Sequence, residues 1–154
     1  MLDVDYSSAM PHMWADTLES LERLHLLRLL LWAAASILAG TALLAWMRAS
    51  GRRSPLLGHF AIQTAAWGAV DAVLAGIALR DMAPRDIASA TRLDRLLWLN
   101  IGLDTGYAFV GITLVVIAWR LGRRPGLAGA GIGVIVQGGA LALLDLMLAA
   151  QISR

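Results

Sequence analysis

Polar side chains recur at helical spacing within a long apolar stretch of the chain. Asn100, Asp104 and Tyr107 occupy positions i, i+4 and i+7, so in a helix they fall along one face. A carboxylate, an amide and a phenol are costly to expose to lipid, and such residues indicate by default a functional site facing the protein interior. The carboxylate would supply charge to a bound proton, small cation or polar solute, and the other two groups would orient it.

Two further aspartates and an arginine are expected at a similar depth. Asp71 and Asp145 lie in other apolar stretches, and Arg28 is the expected partner of Asp104 or Asp145. Three carboxylates against one arginine leave at least one carboxylate to bind a proton, a cation or a solute. The predicted ligand- or ion-binding residues are Arg28, Asp71, Asn100, Asp104, Tyr107 and Asp145, with His25, Gln63 and Gln137 as secondary candidates.

The same polar residues also fit a second interpretation, in which they only hold helices together. Buried amides and carboxylates link membrane helices at roughly 0.6–2 kcal/mol per contact. This role is favoured for Gln63 and Gln137, and both interpretations stay open for the aspartates. The chain has no cysteine and no phosphate-loop or nucleophile motif, so we expect no catalytic residue, no metal site, no cofactor and no enzymatic activity.

Four apolar stretches position these side chains. The chain is 58% hydrophobic and only 16% charged, whereas soluble domains carry about a quarter charged residues. The predicted spans are residues 26–47, 57–79, 96–119 and 127–150, each long enough to cross a bilayer. We therefore predict an all-α integral membrane four-helix bundle over residues 14–154. It follows a flexible tail over 1–13, in which Pro11 stops any early helix.

The two halves of the chain resemble each other at offsets of 71 to 74 residues. Gly51-Arg-Arg53 recurs as Gly122-Arg-Arg124, and the Gln63 and Asp71 pair recurs as Gln137 and Asp145. The pattern predicts two tandem helical hairpins, repeat 1 over about 14–80 and repeat 2 over about 85–152. Because each unit has two spans, the copies are parallel and related by a pseudo-twofold axis along the membrane normal.

Small residues mark the faces where helices are expected to approach closely. Gly68 and Gly76 belong to one ladder in the second span, and Gly102 and Gly106 form a GxxxG pair in the third. The fourth span begins with four glycines, which lie in an apolar helix with no preceding strand. Close helix packing, and not a dinucleotide loop, is their expected role.

Arginine placement predicts the orientation of the bundle. The first and third connections each hold three arginines and no acid, so they are expected in the cytoplasm, with both termini on the outer side of a bacterial inner membrane. The basic pI near 9.9 comes from these loops and needs no nucleic-acid partner. The expected partners are membrane lipids and either further copies of the chain or another membrane subunit.

The third span also carries a resemblance. Its pattern Trp98-x-Asn100-x3-Asp104-x2-Tyr107-x3-Gly111 resembles that of small bacterial four-span membrane proteins of unknown function. The resemblance implies a four-span fold and carries no activity. Two functions therefore remain, namely binding or translocation of a proton, cation or solute, and a non-catalytic accessory or scaffold role in a larger membrane complex.

Overall fold

A computed structural model describes residues 6–152 as four helices joined by short turns, with side chains described from Trp14 onward. The helices are α1 (Tyr6–Ala49), α2 (Pro55–Arg80), α3 (Ile87–Arg120) and α4 (Pro125–Ile152). All four are long and apolar enough to cross a membrane. The predicted all-α class and the four predicted spans are confirmed.

The outer surface of the bundle is apolar. Large side chains point away from the other helices, among them Leu31 at 72% exposure, Leu38 at 67% and Phe109 at 64%. A soluble monomer rarely exposes apolar surface of this extent. The surface is compatible with a multi-pass membrane protein whose helices face lipid.

Helix α1 begins earlier than predicted. It starts at Tyr6 and passes through Pro11 and the expected start at Asp16, so the prediction of an irregular segment is wrong for residues 6–13, and residues 1–5 lie outside the described chain. Pro11 has no backbone N–H and cannot donate one helical hydrogen bond, but the helix continues on both sides of it. At 1.5 Å per residue, the 44 residues of α1 span about 66 Å, roughly twice a hydrocarbon core.

The turns after α1 and α3 share a left-handed glycine and a following proline, although Arg123 (φ 55°) is left-handed in the third turn only. Gly51 and Gly122 adopt left-handed backbone angles, with φ of 65° and 82°, just after the ends of α1 and α3. A left-handed glycine ends a helix without the steric cost that a Cβ would add. Pro55 and Pro125 then open α2 and α4 at the position where proline is favoured. In both hairpins, therefore, the first helix ends at a left-handed glycine and the second helix begins at a proline.

The helices pack as two hairpins around α4. Helix α1 packs against α2, α3 packs against α4, and α4 also contacts α2 and α1. Helices α2 and α4 run parallel, because Leu56 lies beside Gly129 and Thr64 lies beside Gln137 further along. This is the arrangement expected for a parallel repeat of hairpins.

The pseudo-twofold relation is incomplete. A twofold axis would pair α3 with α2 as it pairs α1 with α4. Within residues 6–152, no Cα atom of α3 comes within 8 Å of one in α1 or α2. A gap therefore separates α3 from the α1–α2 hairpin, with α4 behind it.

Glycines make the close helix contacts, although not all of those predicted. A Cβ atom added at Gly111 would lie 2.6 Å from the carbonyl oxygen of Gly131, and the α4 glycines meet backbone or side chains of α2 and α3 as expected. Gly76, Gly102 and Gly106 make no such contact within the described chain, since no described atom lies within 4 Å of an added Cβ. Gly102 is nine residues from Gly111, which at 100° per residue places it on the opposite face of α3.

Replacing these glycines by alanine tests the packing of α3 on α4. We expect Gly111→Ala to destabilise the protein by about 1–3 kcal/mol, because the new methyl group overlaps the α4 backbone. Gly102→Ala is the matched control on the same helix. It should be neutral or should stabilise by up to about 1 kcal/mol through helix propensity. Thermal unfolding of the purified proteins in detergent measures both, and equal losses would contradict this packing.

Candidate functional site

A cavity of about 480 Å³ occupies the gap between α3 and the α1–α2 hairpin. Asp71 of α2, Asp104 of α3 and Asp145 of α4 line it, so the structure brings together the three predicted carboxylates. We call this cavity the aspartate cleft. It lies in the half of the bundle that holds the turn between α2 and α3, the half predicted from the sequence to face outward.

Asp71 is buried against the cleft without a partner for one of its oxygens. The residue is 8% exposed, and its Oδ2 atom accepts no hydrogen bond from the described residues. Buried polar groups are almost always paired, because an unpaired one loses its hydration without compensation. Asp71 also lines the cavity, so a carboxylate with an unpaired oxygen stands at the edge of a space that a ligand can occupy.

Asp145 pairs with a histidine and not with the predicted arginine. Its Oδ1 lies 3.1 Å from Nε2 of His25, and both side chains are buried. Arg28 does not line the cleft and makes no ion pair with residues 14–152, so its prediction as the counter-ion of Asp104 or Asp145 is wrong. The packing of α1 on α4 brings His25, and not Arg28, to Asp145.

The remaining predicted residues of α3 also reach the cleft. Asn100 and Tyr107 line it beside Asp104, and the Tyr107 ring packs on Trp67 of α2 with centroids 5.5 Å apart and planes tilted by 54°. This aromatic pair bridges the gap between α2 and α3. Asp104 is half-buried and makes no ion pair with the described side chains, and Asp145 and Asp71 both lie close enough to repel it.

The two glutamines lie away from the open part of the cleft. Gln137 is 2% exposed, accepts a hydrogen bond of 2.6 Å from Nε1 of Trp32, and donates one of 3.2 Å to the carbonyl oxygen of Thr64. It ties α4 to α1 and α2, as the interhelical interpretation expects. Gln63 packs against Gly133 of α4 and does not line the cleft.

An ion pair at the cleft was not predicted from the sequence. Arg85, in the turn between α2 and α3, donates to both carboxylate oxygens of Glu22 on α1, at 2.6 Å from Nε and 2.5 Å from Nη2. Glu22 is 6% exposed, and both residues line the cleft. The hydrogen bond with Glu22 raises the pKa of Arg85 above its usual value, so the guanidinium stays charged.

The start of α3 is held by Asp86. Its carboxylate accepts a hydrogen bond of 2.8 Å from the backbone N–H of Ser89, an N-cap that satisfies a free donor of the first turn. Hydrogen bonds from the Ser89 side chain and backbone lower the pKa of Asp86. This cap begins the helix that carries Asn100, Asp104 and Tyr107 to the cleft.

The charges around the cleft favour a positive ligand. Arg85 neutralises Glu22, and His25 supports Asp145, but Asp71 and Asp104 have no basic partner among the described side chains. Within residues 14–152, no group of three or more histidine, aspartate or glutamate side chains is placed to hold one metal ion. What the arrangement offers is two carboxylates beside an aromatic pair.

Replacing either partner of the Glu22–Arg85 pair should destabilise the protein, and replacing Arg85 should cost more than replacing Glu22. We expect Arg85→Gln to cost about 2 kcal/mol, because it leaves the Glu22 carboxylate buried and unpaired, yet less than a fully buried pair since Arg85 is partly exposed. Glu22→Gln should cost only about 1 kcal/mol, because water can reach the guanidinium. Thermal unfolding in detergent of both variants and of the double variant gives the coupling, and strictly additive losses would contradict a direct pair.

Comparison with known proteins gives a family but no activity. No curated protein and no solved structure matches the chain. The model of a family of unknown function, DUF6992, matches residues 28–146, a segment that includes Asp71, Asp104 and Asp145 but not Glu22 or His25. Because this match covers well over half of the chain, the protein belongs to the family of unknown function DUF6992.

Proposed function

We propose that this chain is a multi-pass membrane protein whose aspartate cleft binds, or translocates, a cation or a polar solute. The observation that carries the proposal is Asp71, a buried carboxylate with an unpartnered oxygen at the wall of a cavity. Ionisable groups within a membrane bundle mark ligand or ion pathways by default. The protein acts by binding and not by catalysis.

The cleft favours this function over a purely structural role for the aspartates. A structural network of buried polar groups is stable when each member is paired. Gln137 meets this condition, but Asp71 and Asp104 do not. A scaffold whose aspartates served only as interhelical links would pair them, as Gln137 is paired.

The first test measures whether water reaches the cleft. Because the sequence has no cysteine, a thiol reagent reacts only with the cysteine that is introduced. We expect Asn100→Cys to react with a positively charged methanethiosulfonate reagent, because the thiolate forms in water. Leu99→Cys, the adjacent residue at the same depth, is exposed but does not line the cleft and should stay unreactive. Mass spectrometry of protein in proteoliposomes gives both rates.

The charge of the reagent tests the role of the carboxylates. The ratio of cationic to anionic reagent rates at Asn100→Cys should exceed the ratio at Ala83→Cys, in the exposed turn, by about tenfold. Adding Asp104→Asn should reduce it. If Asn100→Cys reacts no faster than Leu99→Cys, the cleft is closed to water, and the accessory or scaffold function replaces this proposal.

The orientation of the bundle is part of the proposal. The arginine-rich first and third turns lie at one end of the helices and favour the cytoplasm of a bacterium. The cleft then opens toward the outer side of the inner membrane. We expect further copies of the chain or another membrane subunit, together with lipids, to cover the apolar surface.

Labelling in intact cells tests this orientation. A membrane-impermeant thiol reagent should modify Ala83→Cys, in the turn between α2 and α3, and should not modify Ser50→Cys, in the first turn. Both sites are exposed. After the inner membrane is permeabilised, both should react. Labelling of Ser50→Cys alone in intact cells would reverse the orientation and turn the cleft toward the cytoplasm.

A further inference from the structure

We propose that the ligand of the aspartate cleft is an organic monocation with an apolar body, namely an ammonium group attached to an alkyl or aryl skeleton. This inference rests on the proposed function and narrows it from cations and polar solutes in general to one chemical class. Three features of the cleft carry it, namely its volume, its unpaired carboxylates and its apolar and aromatic walls.

The volume of the cleft suits an organic molecule. At about 480 Å³ it falls within the range of about 300–1,000 Å³ that small-molecule sites occupy. A bare metal ion is held by ligands that converge to about 2–2.6 Å, and a proton needs a single atom. A space of this size around Asp71 and Asp104 is much larger than either requires, and an organic cation would fill it.

The unpaired carboxylates select for positive charge. The free Oδ2 of Asp71 is buried, and Asp104 stands across the cleft from it without a basic partner among the described side chains. Their mutual repulsion falls when a cation lies between them. An ammonium group placed there gains attraction from both and compensates the buried charge of Asp71, while Asp104 stays partly exposed.

The other walls suit an apolar body. Trp67 and Tyr107 present aromatic rings beside Asp104, and the faces of such rings attract organic cations by the cation–π interaction. Leu74, Leu96 and Leu103 line the cleft on its exposed side, where α3 stands apart from α2. A hydrophilic solute would leave these leucines without contact, whereas an alkyl or aryl group covers them.

Binding to the purified full-length chain in an uncharged detergent tests the proposal. The probe is radiolabelled benzyltrimethylammonium, which carries a permanent charge and an aryl body, and equilibrium dialysis measures its affinity. We expect saturable binding that Asp71→Asn and Asp104→Asn each weaken by about tenfold or more. The matched controls, Asp81→Asn and Asp94→Asn, lie on or beside the same helices but do not line the cleft, and they should stay within about twofold.

Two competitors test separately how much the positive charge and the aryl body of the probe contribute to its binding. Neopentylbenzene, the neutral isostere of the probe, should not displace it, and tetramethylammonium, which lacks the aryl body, should displace it only at about tenfold higher concentration or more. Trp67→Leu should weaken both the probe and tetramethylammonium, because each carries the quaternary ammonium that the ring face attracts. Circular dichroism and size-exclusion profiles equal to those of the wild type confirm that each variant folds.

The possible failures are distinguishable. If sodium or tetramethylammonium binds as tightly as the probe and the aspartate variants lose both, the cleft is a site for small cations, so this inference is overturned while the proposed function stands. Displacement by neopentylbenzene at equal concentration would make the cleft an apolar site and overturn both. Absence of binding by the probe and by sodium, with Asn100→Cys unreactive, would also overturn both.

Discussion

The buried amide of Gln137 is the contact on which the arrangement of the helices depends. It lies at the centre of the bundle and joins α4 to Trp32 of α1 and to the backbone of α2 at Thr64. Leaving such an amide unpaired in an apolar interior would cost about 1–3 kcal/mol. Three helices are thereby held together at one level, and α3 packs its backbone against α4 alone, with the Tyr107–Trp67 rings as its contact with α2. The aspartate cleft exists because α3 packs along one side only, against α4.

The partners of the aspartates in the cleft follow from this asymmetric packing, in which α3 packs against α4 but not against α1 or α2. Asp71 and Asp145 occupy corresponding positions in the two hairpins, yet only Asp145 finds a partner, because α1 packs against α4 and brings His25 to it. The corresponding partner for Asp71 would have to come from α3, which stands away from α2. Asp145 therefore has a partner in His25, whereas Asp71 lines the cleft with one oxygen unpaired.

Periodicity and hydropathy were enough to predict the four helices, the two hairpins and the meeting of three aspartates in one half of the bundle, because these depend on position along a helix. They could not predict which neighbour each face meets. Arg28 and His25 are three residues apart, and only packing decides which one reaches Asp145. For the same reason the pattern could not predict that Gly102 and Gly106 meet no helix of the described chain. The Glu22–Arg85 pair escaped prediction because Arg85 lies in a turn, where no periodic pattern assigns it a direction.

The broken symmetry of the hairpins also bears on how such a bundle evolves. Two identical hairpins associating as a dimer carry the same sequence at both equivalent contacts, so any substitution that opens one contact opens the other as well. Once the two copies are fused in a single chain, each contact changes independently. The α1–α4 contact can then be kept while the equivalent contact between α2 and α3 is lost. In a single chain the two hairpins can therefore differ, with one contact bracing the bundle and the other left open.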